Sequence, residues 1–179
     1  GLGDRQKAAV EFAEIAGGRG HQPTIDKGRK LLNSLKSFND NYDGGMKAYQ
    51  AKNPSTAIPK LKDALKLSQE ISKVNNYSED LRTKMADMYV VLGDQQLASK
   101  AYEKSFKAYD IAAKFKKGHP GAAEGFKKLS EAARKLYYEG YALKDFDPKA
   151  AGEKWKTVKK IVPPSDQWYK KADQQLSEL

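Results

Sequence analysis

The chain contains no cysteine, which removes disulfide frameworks and thiolate metal sites together and leaves the compartment open, since a cysteine-free protein suits oxidising and reducing surroundings alike. Histidine is almost absent too. His21 and His119 both stand in Gly/Pro-containing breaks, outside any His-Glu-x-x-His or comparable ligand array. No Gly-x-x-x-x-Gly-Lys-Ser/Thr loop, nucleophile elbow or dinucleotide fingerprint occurs, and Gly17-Gly18-Arg19-Gly20 lacks the strand that such a loop follows. Nothing approaches the ~18 consecutive apolar residues that a membrane span needs, and no period-two alternation bounded by turns predicts a strand. The carboxylates Asp26, Glu79, Asp80, Asp94 and Asp147 fall at helix starts, where capping and the helix dipole account for them. The reading is therefore a non-enzymatic protein with no catalytic residue, cofactor or metal ligand to name.

What is present is ample core material. Of 179 residues, 39% are hydrophobic and ten are Tyr and two Trp, enough for a packed domain or a short solenoid. The net charge of +10 favours acidic partners through long-range attraction. It is spread rather than concentrated in a tail, with 15 cations against 11 anions in residues 1–90 and 18 against 12 in 91–179. Only five of the 33 cations are Arg, few for a protein that reads phosphates bidentately, so nucleic-acid or anionic-surface binding is the alternative to a protein partner. The first residues, Gly-Leu-Gly-Asp with no Met, suggest a processed piece from which a signal peptide, anchor or further domain was removed.

Apolar spacing predicts eight helices, an all-α fold. A short helix over 4–16 carries Ala8, Phe12 and Ile15 and precedes a Gly-rich linker, so 1–25 reads as a hinge segment ahead of a helical domain over 26–179. Asp26 opens a long helix with Leu31, Leu35, Phe38, Tyr42, Met46 and Tyr49 on one stripe. Gly44-Gly45 interrupts it, read as a close approach of the partner helix or as a kink. The next helix is expected to start near Ser55 or Thr56, which places Pro59 in its first turn, and to run through Val74 to an Asn75-Asn76-Tyr77 turn. Ser78 is expected to cap a helix ending at Gly93, Asp94 to cap one running on to Phe115, Asp147-Pro148 to open another, and Ser165 to cap the last.

The segment from Glu79 to Ala112 reads as a helix hairpin whose signature is Met85, Ala86, Tyr89, then Gly93-Asp94, then Ala98, Tyr102 and Ser105. This resembles the tetratricopeptide repeat, a large-then-small pair, an aromatic three residues on, a Gly-Asp-type turn, then small, aromatic, small. The second-helix triplet recurs as Ala57, Leu61 and Ala64, preceded by Gly45, and as Ala151, Trp155 and Val158, closed by Pro163. The intervals exceed the usual ~34 residues, the early Trp is absent, and Tyr138-Glu139 replaces the large-then-small pair with Gly140 one place late. The resemblance implies a right-handed superhelix of three antiparallel helix pairs, with repeats over roughly 38–71, 79–112 and 132–165 and a capping helix over 166–179. Three unrelated hairpins of an ordinary helical bundle would give the same pattern.

In that family the first helix of each pair lines a concave surface that holds a peptide or helix. Carried over, this selects Asn39, Tyr42, Met46, Tyr49 and Gln50, then Asp80, Thr83, Asp87, Val90 and Val91, then Leu136, Gly140, Leu143 and Lys144. The Lys/Asn clamp that some relatives use for a C-terminal carboxylate is missing, since Tyr42, Met46, Thr83 and Asp87 hold those places. The expected partner is another protein, with an acidic one favoured by the net positive charge, seated on Asn39, Tyr42, Met46, Tyr49, Thr83, Asp87, Val90, Val91, Leu136, Leu143 and Lys144. For Tyr42, Tyr49 and Leu136, packing against neighbouring helices is the competing role.

Overall fold

The computed structural model describes residues 2–18, 20–71 and 77–179, with nothing given for the side chains of 2 and 3. The described residues form eight α-helices and no strand: α1 (Leu2–Gly17), α2 (Gln22–Gln50), α3 (Pro54–Ile71), α4 (Tyr77–Ala98), α5 (Tyr102–Phe115), α6 (Pro120–Leu143), α7 (Pro148–Ile161) and α8 (Gln167–Ser177). The expected Asn75-Asn76 turn and Val74 lie outside the described residues. The chain divides into two compact units, residues 1–88 and 89–179, and α4 contributes residues to both.

In the first unit α2 runs unbroken through Gly44-Gly45, and the glycines serve close approach rather than a kink. A Cβ on Gly45 would stand 2.8 Å from Leu61 Cδ2, so α3 lies against α2 with Ala57, Leu61 and Ala64 fully buried. α3 begins at Pro54, not later: Asn53 accepts from the Thr56 amide at 3.3 Å, and Pro at the first helical position loses no useful hydrogen bond. Pro59 consequently stands in the second turn, on the exposed side of the helix. α1 packs along α2, where a Cβ on Gly28 would meet Ile15 at 2.6 Å.

The second unit holds the main correction to the sequence reading. Gly93-Asp94 is not a turn; α4 continues through it to Ala98, and the chain reverses at Ser99-Lys100-Ala101. Lys100 has φ 59°, and the amides of Lys100 and Ala101 donate to the carbonyls of Leu97 (2.9 Å) and Gln96 (2.8 Å), the paired bonds of a Schellman ending. Gly93 instead admits Tyr109, whose Cε1 would stand 2.4 Å from an added Cβ, and its carbonyl accepts from the Ser105 hydroxyl at 2.8 Å. Asp94 caps nothing; its Oδ1 accepts from the Tyr109 hydroxyl and from Lys128 Nζ, each at 2.9 Å. Ala98 is exposed, whereas Ser105, Tyr109 and Ala112 are fully buried. The small-large-small triplet of this hairpin therefore lies seven residues downstream of the expected one. Seven residues are close to two helical turns, so both triplets fall on one face and share Ser105, and spacing alone could not separate them.

Around Tyr109 the unit's core gathers Leu129, Ala133 and Leu136 of α6, Ala151, Trp155, Val158 and Ile161 of α7, and Trp168 and Ala172 of α8. A Cβ on Gly140 would meet Trp155 Nε1 at 2.7 Å. Asp147 caps α7 as expected, accepting from the Ala150 amide at 2.9 Å, while the cap of α8 is Asp166 rather than Ser165. His119, 8% exposed, caps α6 by accepting from the Ala122 amide at Nδ1.

Candidate functional site

Helix α2 presents two neighbouring stripes. Leu35, Phe38, Gly45 and Ala48 are buried, whereas Asn39, Tyr42, Met46 and Tyr49, at three- and four-residue steps, are each half-buried. Thr83 and Asp87, one turn apart on α4, are half-buried as well. The structure brings two of these residues into contact from different helices: the Tyr49 hydroxyl donates to Asp87 Oδ2 at 2.8 Å. That hydrogen bond, followed by burial, raises the Tyr49 pKa. Lys84 lies 5.8 Å from the Tyr49 ring centroid and pairs with Asp80. Tyr42 meets Tyr77 edge-on at 5.5 Å, and burial, then the charge of Asp80, holds its hydroxyl pKa up. The Arg5 guanidinium sits 4.9 Å over the Tyr42 ring and donates to Asn39 and Asp43, both at 3.1 Å. α1 therefore occupies the Asn39–Tyr42 end of the stripe, a contact that no local sequence pattern reveals.

In the second unit Val90 and Val91 are half-buried, and Val90 Cγ1 would stand 3.1 Å from a Cβ on Gly121. Leu136 is 8% exposed and belongs to the core, so it takes the packing role left open above. Leu143 packs half-buried against the same core, and Lys144 donates to Gln175 at 3.1 Å and Glu178 at 3.4 Å. Leu136, Leu143 and Lys144 thus tie α6 to α7 and α8.

A feature the sequence reading passed over stands at the C-terminal end of α6. Tyr138, Tyr141 and Phe146 are 56%, 57% and 89% exposed, three of the six most exposed large apolar side chains among the described residues. The Tyr137-Tyr138 doublet was the available signal. A helix turns about 100° per residue, so adjacent aromatics cannot both face one core. Tyr137 goes inward, its ring 6.4 Å from Trp155 and 5.6 Å from Trp168, while Tyr138 leans outward over Trp168 at 5.7 Å. Burial, then the neighbouring Tyr141 and Tyr138, raises the Tyr137 pKa. Trp155 Nε1 donates to the Tyr137 carbonyl at 3.1 Å and fixes the inner end of the series.

Among the described residues no group of three or more His, Asp or Glu is placed to hold a metal ion, and no helix is long and apolar enough to cross a membrane. No family model, curated protein or solved structure matches this chain.

Proposed function

We propose that the chain is a non-enzymatic interaction module, built of helix hairpins in a tetratricopeptide-like arrangement, that holds a segment of a partner protein on the half-buried face of α2 and α4. One observation carries this reading. Of the eleven residues chosen for a binding surface, ten are half-buried and only Leu136 is fully packed away. A core stripe would be buried and a solvated face exposed; intermediate exposure of Tyr, Met and Val side chains is what the wall of a shallow groove displays. The hairpins support the repeat reading through a shared contact, a glycine of the first helix against a large residue of the second, at Gly45–Leu61, Gly93–Tyr109 and Gly140–Trp155.

The binding end is Met46, Tyr49, Thr83 and Asp87, since α1 already covers Asn39 and Tyr42. Tyr and Met suit this use, one rigid and amphipathic, the other adaptable. The test is a display selection of random helical peptides against the protein, followed by titration of the selected peptides against Met46→Glu. The expected outcome is loss of binding by about tenfold or more with an unchanged melting temperature. Selected peptides that bind the variant equally, or a selection that yields none, would overturn the reading.

A further inference from the structure

Between α1, α2 and α3 the first unit leaves apolar space unfilled. Ala8 of α1, Leu35 and Phe38 of α2, Ile71 of α3 and Tyr77 of α4 line a cavity of about 140 Å³. Leu35 and Phe38 are 4% and 2% exposed, and Tyr77 meets Phe38 edge-on at 5.4 Å, so two rings form part of its wall. Protein interiors leave few voids larger than a water molecule, and an engineered apolar cavity of about 150 Å³ stays dry and accepts benzene. The space here therefore suits a single six-membered ring with a short substituent. Met46 and Tyr49 take no part in its lining, and it stands whether or not that surface binds anything.

Two polar side chains of the lining differ in how they are satisfied. Ser68, 4% exposed, donates its hydroxyl proton to the Leu65 carbonyl at 2.8 Å. Arg5, 9% exposed, is only partly engaged. Its Nη1 donates to Asn39 and Asp43, each at 3.1 Å, whereas its Nε is buried without a hydrogen-bond partner, one of two such side-chain atoms among the described residues. Asn39, Tyr42 and Asp43 are not among the cavity's walls, so the cavity lies on the side of Arg5 away from Nη1, and the rigid fork turns the Nε–H away from Nη1 as well. A buried donor left without an acceptor is costly, and an acceptor carried into the cavity is what would satisfy it. That acceptor has no need of a charge. Asp43 already balances the guanidinium, and Asp4 borders the same cavity, where a ligand carboxylate would be repelled.

We propose that this cavity binds a small uncharged aromatic molecule carrying one hydrogen-bond acceptor, its ring seated among Leu35, Phe38 and Tyr77 and its acceptor turned to Arg5 Nε. The ring gains edge-to-face contact with the wall, and the acceptor meets the one donor there that lacks a partner. Ligand capture of this kind uses the buried stripe of α2, not the half-buried one.

The experiment titrates acetophenone, ethylbenzene, benzoate and N-acetylphenylalaninamide into the full chain and follows the amide shifts of Ala8 and Ile71 by NMR. Acetophenone is expected to bind. Ethylbenzene, which keeps the ring and lacks the acceptor, and benzoate, which adds a charge, should each bind about tenfold more weakly. The phenylalanine derivative stands for a side chain of a partner protein, and its two amide arms should keep it out. Ala8→Leu puts apolar carbons into the space, so it should weaken acetophenone about tenfold without lowering the melting temperature. Arg5→Lys keeps the charge and removes the Nε–H, so it should bring acetophenone down to the affinity of ethylbenzene and leave ethylbenzene unchanged. That second variant keeps the test decisive should Ala8→Leu disturb α1. No binding of acetophenone, equal binding by either variant, equal binding of ethylbenzene by the unaltered chain, or preference for benzoate or the phenylalanine derivative would each overturn the assignment.

Discussion

The α2–α3 and α4–α5 hairpins reverse in the same manner, and neither uses the glycine that precedes its turn. α2 ends with Lys52 at φ 50° and the amides of Lys52 and Asn53 bonded to the carbonyls of Tyr49 and Ala48, both at 2.9 Å; α4 ends with Lys100 at φ 59° and the equivalent pair of bonds. The two turns lie forty-eight residues apart, as do Gly45 and Gly93, and as do Leu61 and Tyr109. In α6–α7 the corresponding Gly140 and Trp155 keep the contact while the turn changes: Lys144 stays right-handed and Asp147 caps the next helix. The contact between a first-helix glycine and a second-helix large residue is therefore the constant, and the turn is what varies around it. Glycine has gone where two helices touch, and an exposed lysine has been left to bear the left-handed strain.

The three contacts differ in how far they can yield, and the largest mutational effects follow from that. Adding a methyl at Gly93 drives it into the Tyr109 ring at 2.4 Å, and at Gly140 into the Trp155 indole at 2.7 Å, whereas at Gly45 it meets the Leu61 side chain at 2.8 Å and the Leu61 backbone nitrogen at 3.3 Å. Gly93→Ala is expected to cost about 1 to 3 kcal/mol through overpacking. Gly140→Ala should cost somewhat less, and Gly45→Ala least of the three, because the helix propensity of Ala, about 1 kcal/mol better than Gly, offsets part of the displacement of the buried Leu61. Urea denaturation midpoints rank the three, and a reversed order would mean that the contacts are not equivalent parts of one repeat. The register is checked the same way: Ala112→Leu should destabilise, whereas Ala98→Leu, on an exposed site, should not.

Helix number and the all-α class were legible because long amphipathic stretches depend on many residues, so that one misread position changes little. The flanking triplets Ala57-Leu61-Ala64 and Ala151-Trp155-Val158 were legible too, and all six side chains are fully buried. The central hairpin was misread because Gly93-Asp94 carries the composition of a helix end and a cap, while the real turn, Ser99-Lys100-Ala101, contains no residue that favours a left-handed backbone. Tertiary contact with Tyr109 decided the role of Gly93, and no local rule sees a residue sixteen positions away. The Arg5–Tyr42 contact was invisible for the same reason. The outward face of Tyr138 was readable from the doublet but lay off the stripe that the family resemblance selected.

A smaller effect, of opposite sign in the two readings, tests the turns directly. Lys100→Gly relieves a side chain held at positive φ and is expected to stabilise the protein by up to about 1 kcal/mol, and Lys52→Gly should do the same. Were Lys100 inside a helix, as the sequence reading had it, the same change would cost about 1 kcal/mol. A fall in the melting temperature of Lys100→Gly with a rise for Lys52→Gly would break the likeness between the two hairpins.

The smallest expected effect distinguishes the large residues that fill the glycine contacts. Leu61 has no proton to lose, but Tyr109 does: burial, opposed by its hydrogen bond with Ser105 and helped by the one to Asp94, pushes its hydroxyl from the ordinary 10 up to about 12. The folded state thus holds this proton more tightly than the unfolded chain. The contribution to stability is complete below pH 10, where both states are protonated, and is lost as the pH rises from 10 towards about 12 and only the unfolded chain ionises. Tyr109→Phe removes the titrating group together with the bond to Asp94, so it should lower stability slightly at neutral pH and flatten the alkaline fall. Some slope must persist, because burial also raises Tyr42, Tyr89 and Tyr137. Denaturation midpoints of the two proteins measured from pH 9 to 11 decide the matter. If the curves stay parallel, the Tyr109 hydroxyl is not closed off between Gly93 and Asp94, and the contact in the central hairpin is looser than its counterpart at Gly45.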